Sequence, residues 1–379
     1  MDLTSLRGEI DRIDKQLLSL FEERMDIVQE VARYKMENGL PIFHPEREQE
    51  VLDRAAERAN APYKTDARVL FTTLMELSKF HQKIQISEPE PITLQIKEVL
   101  KEGSVHLTQP KIACQGTQGA YSHIAAEMLF PGSDIVFTKE FEDVFNAVEN
   151  DEVDCGLLPI DNSNAGSVTA VYSLMKKHDF YINHGIKVKV DHCLAARPGV
   201  SKDQICNVYS HEQALRQCSG FFEQNPSYNP CEFSNTAMAA KYVSESDEPA
   251  AAICSVKSAE LYGLQILESG IQDSGENYTR FMCISKIMQL HENANMISIA
   301  VAISNQPGSL YKLLTAFSAA GVDLTKIESK PIGTKNFDVI FYIDFLGNLR
   351  SPLIYHLINN LAGEFPYFKF LGNYPEIEG

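Results

Sequence analysis

The thirty residues LRGEIDRIDKQLLSLFEERMDIVQEVARYK, Leu6 to Lys35, hold no proline and a single glycine. Nothing in them stops a helix before it has run about eight turns. Sampled about every 3.5 residues, they give one stripe of Arg7, Ile10, Asp14, Leu17, Phe21, Arg24, Val28, Val31 and Lys35, the face a helix buries against partners. Three cations and one acid lie on it, each costing several kcal/mol to desolvate unless something pairs it. At ~1.5 Å per residue, Arg24 and Lys35 are roughly 16 Å apart, a span that flanks a small ligand, whereas Arg7 is roughly 25 Å from Arg24. One straight helix cannot bring both arginines to one small site. Arg7 must then reach such a site from a second copy, which implies an intertwined homodimer or a higher homo-oligomer.

Polar groups interrupt the neighbouring helical patterns too. Glu48 sits with Val51, Leu52 and Ala55 at helical spacing, and Ser78 and Gln82 continue the stripe of Phe71, Leu74 and Met75. Long cations that snorkel at bundle ends would account for any one of them. Taken together, the set describes a polar pocket inside a helical unit.

Three textures follow one another along the chain. Residues 1–86 are helical in pattern, with helices ending near Asn38-Gly39, running from Pro45 to about Ala59, and from Asp66 to Ile86. Residues 87–110, rich in Pro, Glu and Gly, read as a linker with one short amphipathic helix. Over 111–286 short apolar strands such as KIACQG, DIVFT, DCGLLPI, CLAA, NVYS, CEFS and AAICS alternate with helices. That alternation predicts an α/β domain with a mostly parallel sheet, in two lobes, whose ligands sit beyond the carboxyl ends of the strands. From 295 to 379 the order strand, helix, strand, strand, helix, strand predicts a ferredoxin-like α+β module.

Bulk properties narrow the function. A formal charge of −17 argues against nucleic acid or an anionic membrane as partner, so an anionic ligand must meet local cations. The eight cysteines form no CxxC pair and several lie in apolar strand runs, which reads as buried reduced thiols in a cytoplasmic protein. No apolar run approaches the ~18 residues that span a bilayer. No cluster has metal-ligand spacing, and GTQGAYS lacks the GxGxxG of dinucleotide binding, so neither metal nor cofactor is expected.

Within the helical unit, the Leu6–Lys35 run, PIFHPEREQEVL and ELSKFHQ together resemble the all-helical chorismate mutase family over residues 3–85. The resemblance implies Arg7 from the partner copy, Arg24 and Arg47 on the substrate carboxylates, Lys35 and Gln82 at the ether oxygen, Glu48 at the ring hydroxyl and Ser78 in the pocket lining. His44 stands where some relatives carry Asp, and a capping role for it is equally open. Rearranging chorismate to prephenate needs no nucleophile or proton transfer, only a held conformer and donors for charge growing on the ether oxygen.

CQGTQGAYSHIAAE, PIDNSNAG, YSHEQALRQC, SNTAMAA and the triplet Thr279-Arg280-Phe281 resemble the prephenate dehydratase family across 111–286. Asp161 replaces the family's Glu. The resemblance implies conversion of prephenate to phenylpyruvate, with Thr279 as donor to the departing hydroxyl and Arg280 on a carboxylate. Phe281 would pack beside the ring, and Asn162, Ser163 and Thr236 would hydrogen-bond. Helix starts at Ser122, His211 and Thr236 offer further N–H donors, although His211 reads equally well as a cap or a surface residue. ISNQPGSLYKLL and KIESKPIG resemble the ACT family of amino-acid sensors. Gly308, Ser309 and Leu310, with Glu328, Ser329 and Lys330, would then form the L-phenylalanine patches, Lys330 standing where relatives have Arg. The combined expectation is an enzyme of phenylalanine biosynthesis with feedback inhibition. The rivals are a noncatalytic amino-acid sensor and a dehydratase with an inactive helical domain.

Overall fold

The computed structural model describes residues 2–103, 106–304, 306–332 and 339–379; Asn305 of ISNQPG and Gly333 of KPIG fall outside them. The chain divides into two compact units, residues 1–98 with 298–370 and residues 99–297 with 371–379. The sequence boundaries had separated 1–86, a linker, 111–286 and 295–379.

The first unit begins with three long helices, α1 (Leu3–Glu37), α2 (Pro45–Arg58) and α3 (Lys64–Ile86). Asp2 caps α1 by accepting from the Ser5 N–H at 2.8 Å, and Gly39, at φ +64°, lets the chain leave it. The linker is not free. Its helix α4 (Pro91–Glu102) buries Thr93 and Ile96 completely, and the Thr93 hydroxyl donates to Asn359 Oδ1 at 2.7 Å. In α1, Leu6, Ile10, Ile13, Leu17 and Leu20 remain 45–62% exposed, an apolar face far larger than isolated surface leucines produce.

The second unit holds two sheets. One contains β1 (Ile112–Gln115), β2 (Ile135–Thr138), β3 (Cys155–Asn162), β4 (Gly166–Ser167) and β5 (Tyr181–Lys189). The chain then crosses to the other, made of β6 (Cys193–Ala196), β7 (Asn207–Ser210), β8 (Asn229–Glu232), β9 (Ala251–Cys254) and β10 (Gln265–Ser269). It returns to the first sheet as β11 (Tyr278–Ser285). Helices α5 (Tyr121–Leu129), α6 (Phe141–Glu149), α7 (Thr169–Met175), α8 (Glu212–Gln217), α9 (Ser219–Gln224), α10 (Thr236–Glu245) and α11 (Val256–Leu261) connect the strands.

Both sheets are mixed rather than mostly parallel. β1 runs parallel to β2 and β3, but β11 inserts antiparallel between β3 and β5; in the other sheet β6 is antiparallel to β9 and β10. The difference arises because β11 reaches its place by a return crossing from the second sheet instead of a βαβ step.

The remaining elements are β12 (Met296–Ile303), α12 (Ser309–Ala319), β13 (Leu324–Pro331), β14 (Val339–Leu346), α13 (Pro352–Glu364) and β15 (Tyr367–Tyr374). Their sheet order β13-β14-β12-β15 is that of a split βαβ module. Helices α12 and α13 pack on α3, which is why the helical unit and this module cluster together. A last strand, β16 (Glu376–Glu378), missing from the sequence expectation, pairs parallel to β5 at the edge of the first sheet. No helix among the described residues is long and apolar enough to cross a membrane.

Close approach seats the end of β15, just before this strand: a Cβ on Gly372 would lie 2.1 Å from the Ile182 carbonyl oxygen, a backbone atom that cannot swing away. Gly372→Ala is therefore expected to cost about 2 kcal/mol or more and to lower the thermal midpoint by about 5 °C. Gly8→Ala in the open middle of a helical turn, with nothing within 4 Å, should instead stabilise by about 1 kcal/mol. Differential scanning calorimetry of the two variants checks both signs.

Candidate functional site

Two polar centres emerge. In the helical unit, Arg24 reaches from α1 to α3, donating to Ser78 Oγ at 2.5 Å and to the Leu74 carbonyl at 3.2 Å. Lys35, at the other end of the same stripe, donates to the Ile42 carbonyl at 2.6 Å. Burial draws both cations below their usual pKa, with Glu48 partly offsetting this at Lys35. On α3, Ser78 and Gln82 are buried, and the Gln82 Oε1 has no hydrogen-bond partner. A buried orphan amide one helical turn from the serine that Arg24 binds is the arrangement a polar ligand would complete. Arg7 lies exposed near the start of α1, roughly 25 Å along the helix from Arg24 at ~1.5 Å per residue.

One expected member stands elsewhere. Arg47 faces solvent and pairs with Glu50 at 2.6 Å. His44 occupies the N-cap position of α2, but its side chain caps nothing.

Lys79 was not expected at all, because a lysine on a helix reads as a solvated charge. It sits over the Phe43 ring and pairs with Glu48 at 3.2 Å and with Glu76 at 2.8 Å, its side chain only 12% exposed. Burial lowers its pKa, but Glu76, then Glu48 and Glu364, outweigh burial and leave it raised. Glu76 is in turn held above the usual carboxylate range by burial, which Lys79 only partly offsets.

The second centre is a cavity of about 340 Å³ in the other unit. Antiparallel pairing of β11 with β3 sets Thr279 opposite Asn162. The Asn162 carboxamide oxygen accepts from the Asn164 and Ala165 N–H groups at 3.1 and 2.9 Å, which fixes the amide orientation. Its Nδ2–H then donates to Thr279 Oγ1 at 3.0 Å. With that lone pair taken, the Thr279 hydroxyl proton is free to point into the cavity.

Phe281, two residues on, also lines the cavity, as do Thr236 at the start of α10 and Ser122 in the first turn of α5. Asn235 caps α10 through the Met238 N–H at 2.8 Å. His211 does both things expected of it: it caps α8 through the Gln213 N–H at 3.3 Å and lines the cavity.

Two expected residues are not brought in. Arg280 alternates to the opposite face of β11, where Glu376 binds its Nε and the Tyr374 hydroxyl lies 3.1 Å from a terminal nitrogen. Ser163 pins the ends of β3 and β11 together, accepting from the Tyr278 N–H at 3.0 Å and donating to the Glu276 carbonyl at 3.1 Å. The described cavity lining holds no lysine or arginine. An anion there must be met by amides, hydroxyls and helix N-termini. Burial pushes the adjacent Cys114 thiol up to about 12, so it supplies no thiolate. Gln217 and His192 complete the polar wall. Sequence reading missed both, since neither sits in a spacing that distinguishes a lining residue from a packed one.

In the C-terminal module, Gly308, at φ +85°, precedes α12 in a conformation that a side chain would strain, with Ser309 and Leu310 in the first turn. Glu328 and Lys330 share the half-buried face of β13 and pair at 2.9 Å, while Ser329 faces outward. Among the described residues no group of three or more side chains is arranged to hold a metal ion.

The Lys79 pairings carry a stability consequence. Lys79→Met leaves the buried Glu76 uncompensated and is expected to cost about 3 kcal/mol at pH 7. Glu76, its pKa raised further, would then bind a proton in the folded state before the unfolded one does, so the loss should shrink as pH falls toward 5. Urea unfolding at pH 5 and pH 8, with Glu76→Gln as a second background that restores most of the loss, checks this.

Residues 6–83 match the family model for chorismate mutase type II and residues 112–289 that for prephenate dehydratase. A bifunctional chorismate mutase/prephenate dehydratase from Aquifex aeolicus is 31% identical over 380 residues, 99% of this chain and 98% of its own length. The solved prephenate dehydratase of Arthrobacter aurescens, in complex with L-Phe, superposes with a TM-score of 0.64 at 30% identity, covering 70% of this chain and 89% of that one. GqqA, described as a quorum-quenching acylase, superposes equally well, with a TM-score of 0.64, 30% identity and coverage of 70% and 98%. By identity across nearly its whole length, the chain belongs to the bifunctional chorismate mutase/prephenate dehydratase family.

Proposed function

We propose that this chain rearranges chorismate to prephenate in its helical unit and converts prephenate to phenylpyruvate in the cavity of its α/β unit, under feedback from L-phenylalanine. The observation that carries the second activity is the Asn162 hydrogen bond to Thr279 Oγ1 inside that cavity. In the reaction the ring carboxylate leaves as carbon dioxide, and its bonding electrons enter the ring as the C–O bond on the opposite carbon breaks. The departing hydroxyl needs a proton donor. The Thr279 hydroxyl supplies it, and the Asn162 N–H stabilises the negative charge that grows on Oγ1 as the proton moves. Phe281 supports an apolar wall that favours loss of the carboxylate charge.

For the mutase half, Arg24 and, from a second copy, Arg7 meet the substrate carboxylates. Lys35 and Gln82 donate to the ether oxygen, and Ser78 holds Arg24 in place until substrate arrives. Glu48 takes the ring hydroxyl, with Lys79 holding it at 3.2 Å. Arg47 contributes only if it exchanges Glu50 for substrate. The exposed apolar face of α1 supports a second copy as the occupant that completes this site. Effector binding is assigned to an ACT module, with the L-phenylalanine carboxylate on the N–H groups that follow Gly308 and its ammonium near Glu328. All eight cysteines are free, which suits a cytoplasmic enzyme.

Thr279→Ala should lower prephenate turnover at least about 100-fold and leave chorismate consumption within about twofold; Arg24→Ala should do the reverse. Coupled assays on each substrate read the two rates separately, and equal loss of both activities in either variant would overturn the assignment of independent sites. A protein that turns over prephenate but leaves chorismate untouched would retain only the dehydratase half.

Saturating L-phenylalanine should slow prephenate turnover about fivefold or more, and Gly308→Val should relieve it while sparing the uninhibited rate. An unchanged rate in the wild-type chain would remove the regulatory part of the reading.

A further inference from the structure

The segment between β5 and β6 is one of two crossings between the sheets of the α/β unit, and His192 lies in it. Its backbone ties the two crossings together. The His192 N–H donates to Gln272 Oε1 at 3.0 Å, and its carbonyl accepts from the Gly270 N–H at 3.0 Å and the Ile271 N–H at 3.3 Å. None of this requires an imidazole. Yet the ring, in a residue 2% exposed, forms part of the cavity wall and places Nε2 3.2 Å from Gln217 Oε1.

Burial lowers the His192 pKa, so the ring is neutral at pH 7. A carboxamide oxygen can only accept, hence Nε2 carries the proton. With its oxygen held this way, the Gln217 carboxamide turns its Nε2 hydrogens away from His192. No described acceptor takes them, and Gln217 lines the cavity. A cavity that must hold a dianion without a lysine or arginine in its wall depends on such neutral donors.

We propose that His192 is a positioning residue of the dehydratase site: it holds the Gln217 carboxamide in the orientation that presents its N–H groups to a carboxylate of prephenate. This rests on the dehydratase reading above. A carboxylate bound alike in ground and transition states makes its loss a KM effect rather than a kcat effect.

Steady-state kinetics with prephenate on the full-length chain tests it, with chorismate consumption by the same preparations as the measure of an intact protein. His192→Phe keeps the bulk and removes the donor; KM should rise about 10-fold with kcat within about threefold. His192→Gln, which restores an N–H near the original Nε2, should return KM to within about threefold of wild type. In a Gln217→Ala background, His192→Phe should add less than about twofold, because its partner is already gone. A wild-type KM in His192→Phe, or the same 10-fold rise with and without Gln217, overturns the proposal. Should His192→Phe fail to fold, His192→Gln against His192→Asn replaces it: the shorter amide cannot reach Gln217, and equal KM values overturn the proposal. If the unsubstituted protein leaves prephenate unchanged, the dehydratase reading itself fails and this inference falls with it.

Discussion

The antiparallel pairing of β3 with β11 is the constraint on which the α/β unit depends. It brings together residues more than a hundred positions apart and sets Asn162 against Thr279 in register. A register shift lies just beyond, between Arg280 and Phe281, and below it the strands run on through Leu157 and Ile284's neighbours as part of the buried core. Because side chains alternate across a strand, that one register decides which of Thr279, Arg280 and Phe281 see the cavity. Slipping it by one residue would turn the hydroxyl away and bring the guanidinium in.

The electrostatics of the two units differ for a physical reason. The mutase chemistry moves charge onto an ether oxygen within one dianion, and the helical unit has cations suited to it, Arg24 between α1 and α3 and Lys35 near the end of α1. These cations cost desolvation, and carbonyls and a serine satisfy them. The dehydration expels a carboxylate as neutral carbon dioxide. A guanidinium tightly bound to that carboxylate would hold it in place, whereas neutral amides bind it without that penalty. The cavity's polar wall of Asn162, Gln217, Thr236 and helix N-termini fits that requirement. Arg280 meanwhile is committed to Glu376 on a strand from the far end of the chain.

Much of this was legible in the amino-acid order. The stripe with Arg24 and Lys35, its helix ends at Asn38-Gly39, and the α3 positions of Ser78 and Gln82 all follow from helical spacing, which is a local property. Thr279 and Asn162 could be named because each lies in a motif with a family resemblance. The partners of Lys79, the face chosen by Arg280 and the role of Ser163 could not be named. Each depends on a residue from a distant part of the chain, and no local period encodes which distant residue arrives.

The sequence by itself determined the helices, the strands with strong apolar runs and the family, because these rest on short-range periodicity and on motifs. Only the tertiary structure decided that β11 returns antiparallel beside β3 and that β16 closes the sheet edge beside β5. It also docked α4 through Thr93 on Asn359, turning an expected linker into packed core. These are pairings at long sequence separation, whose free energy appears only when both partners are buried together. A reading that proceeds along the chain weighs each partner alone.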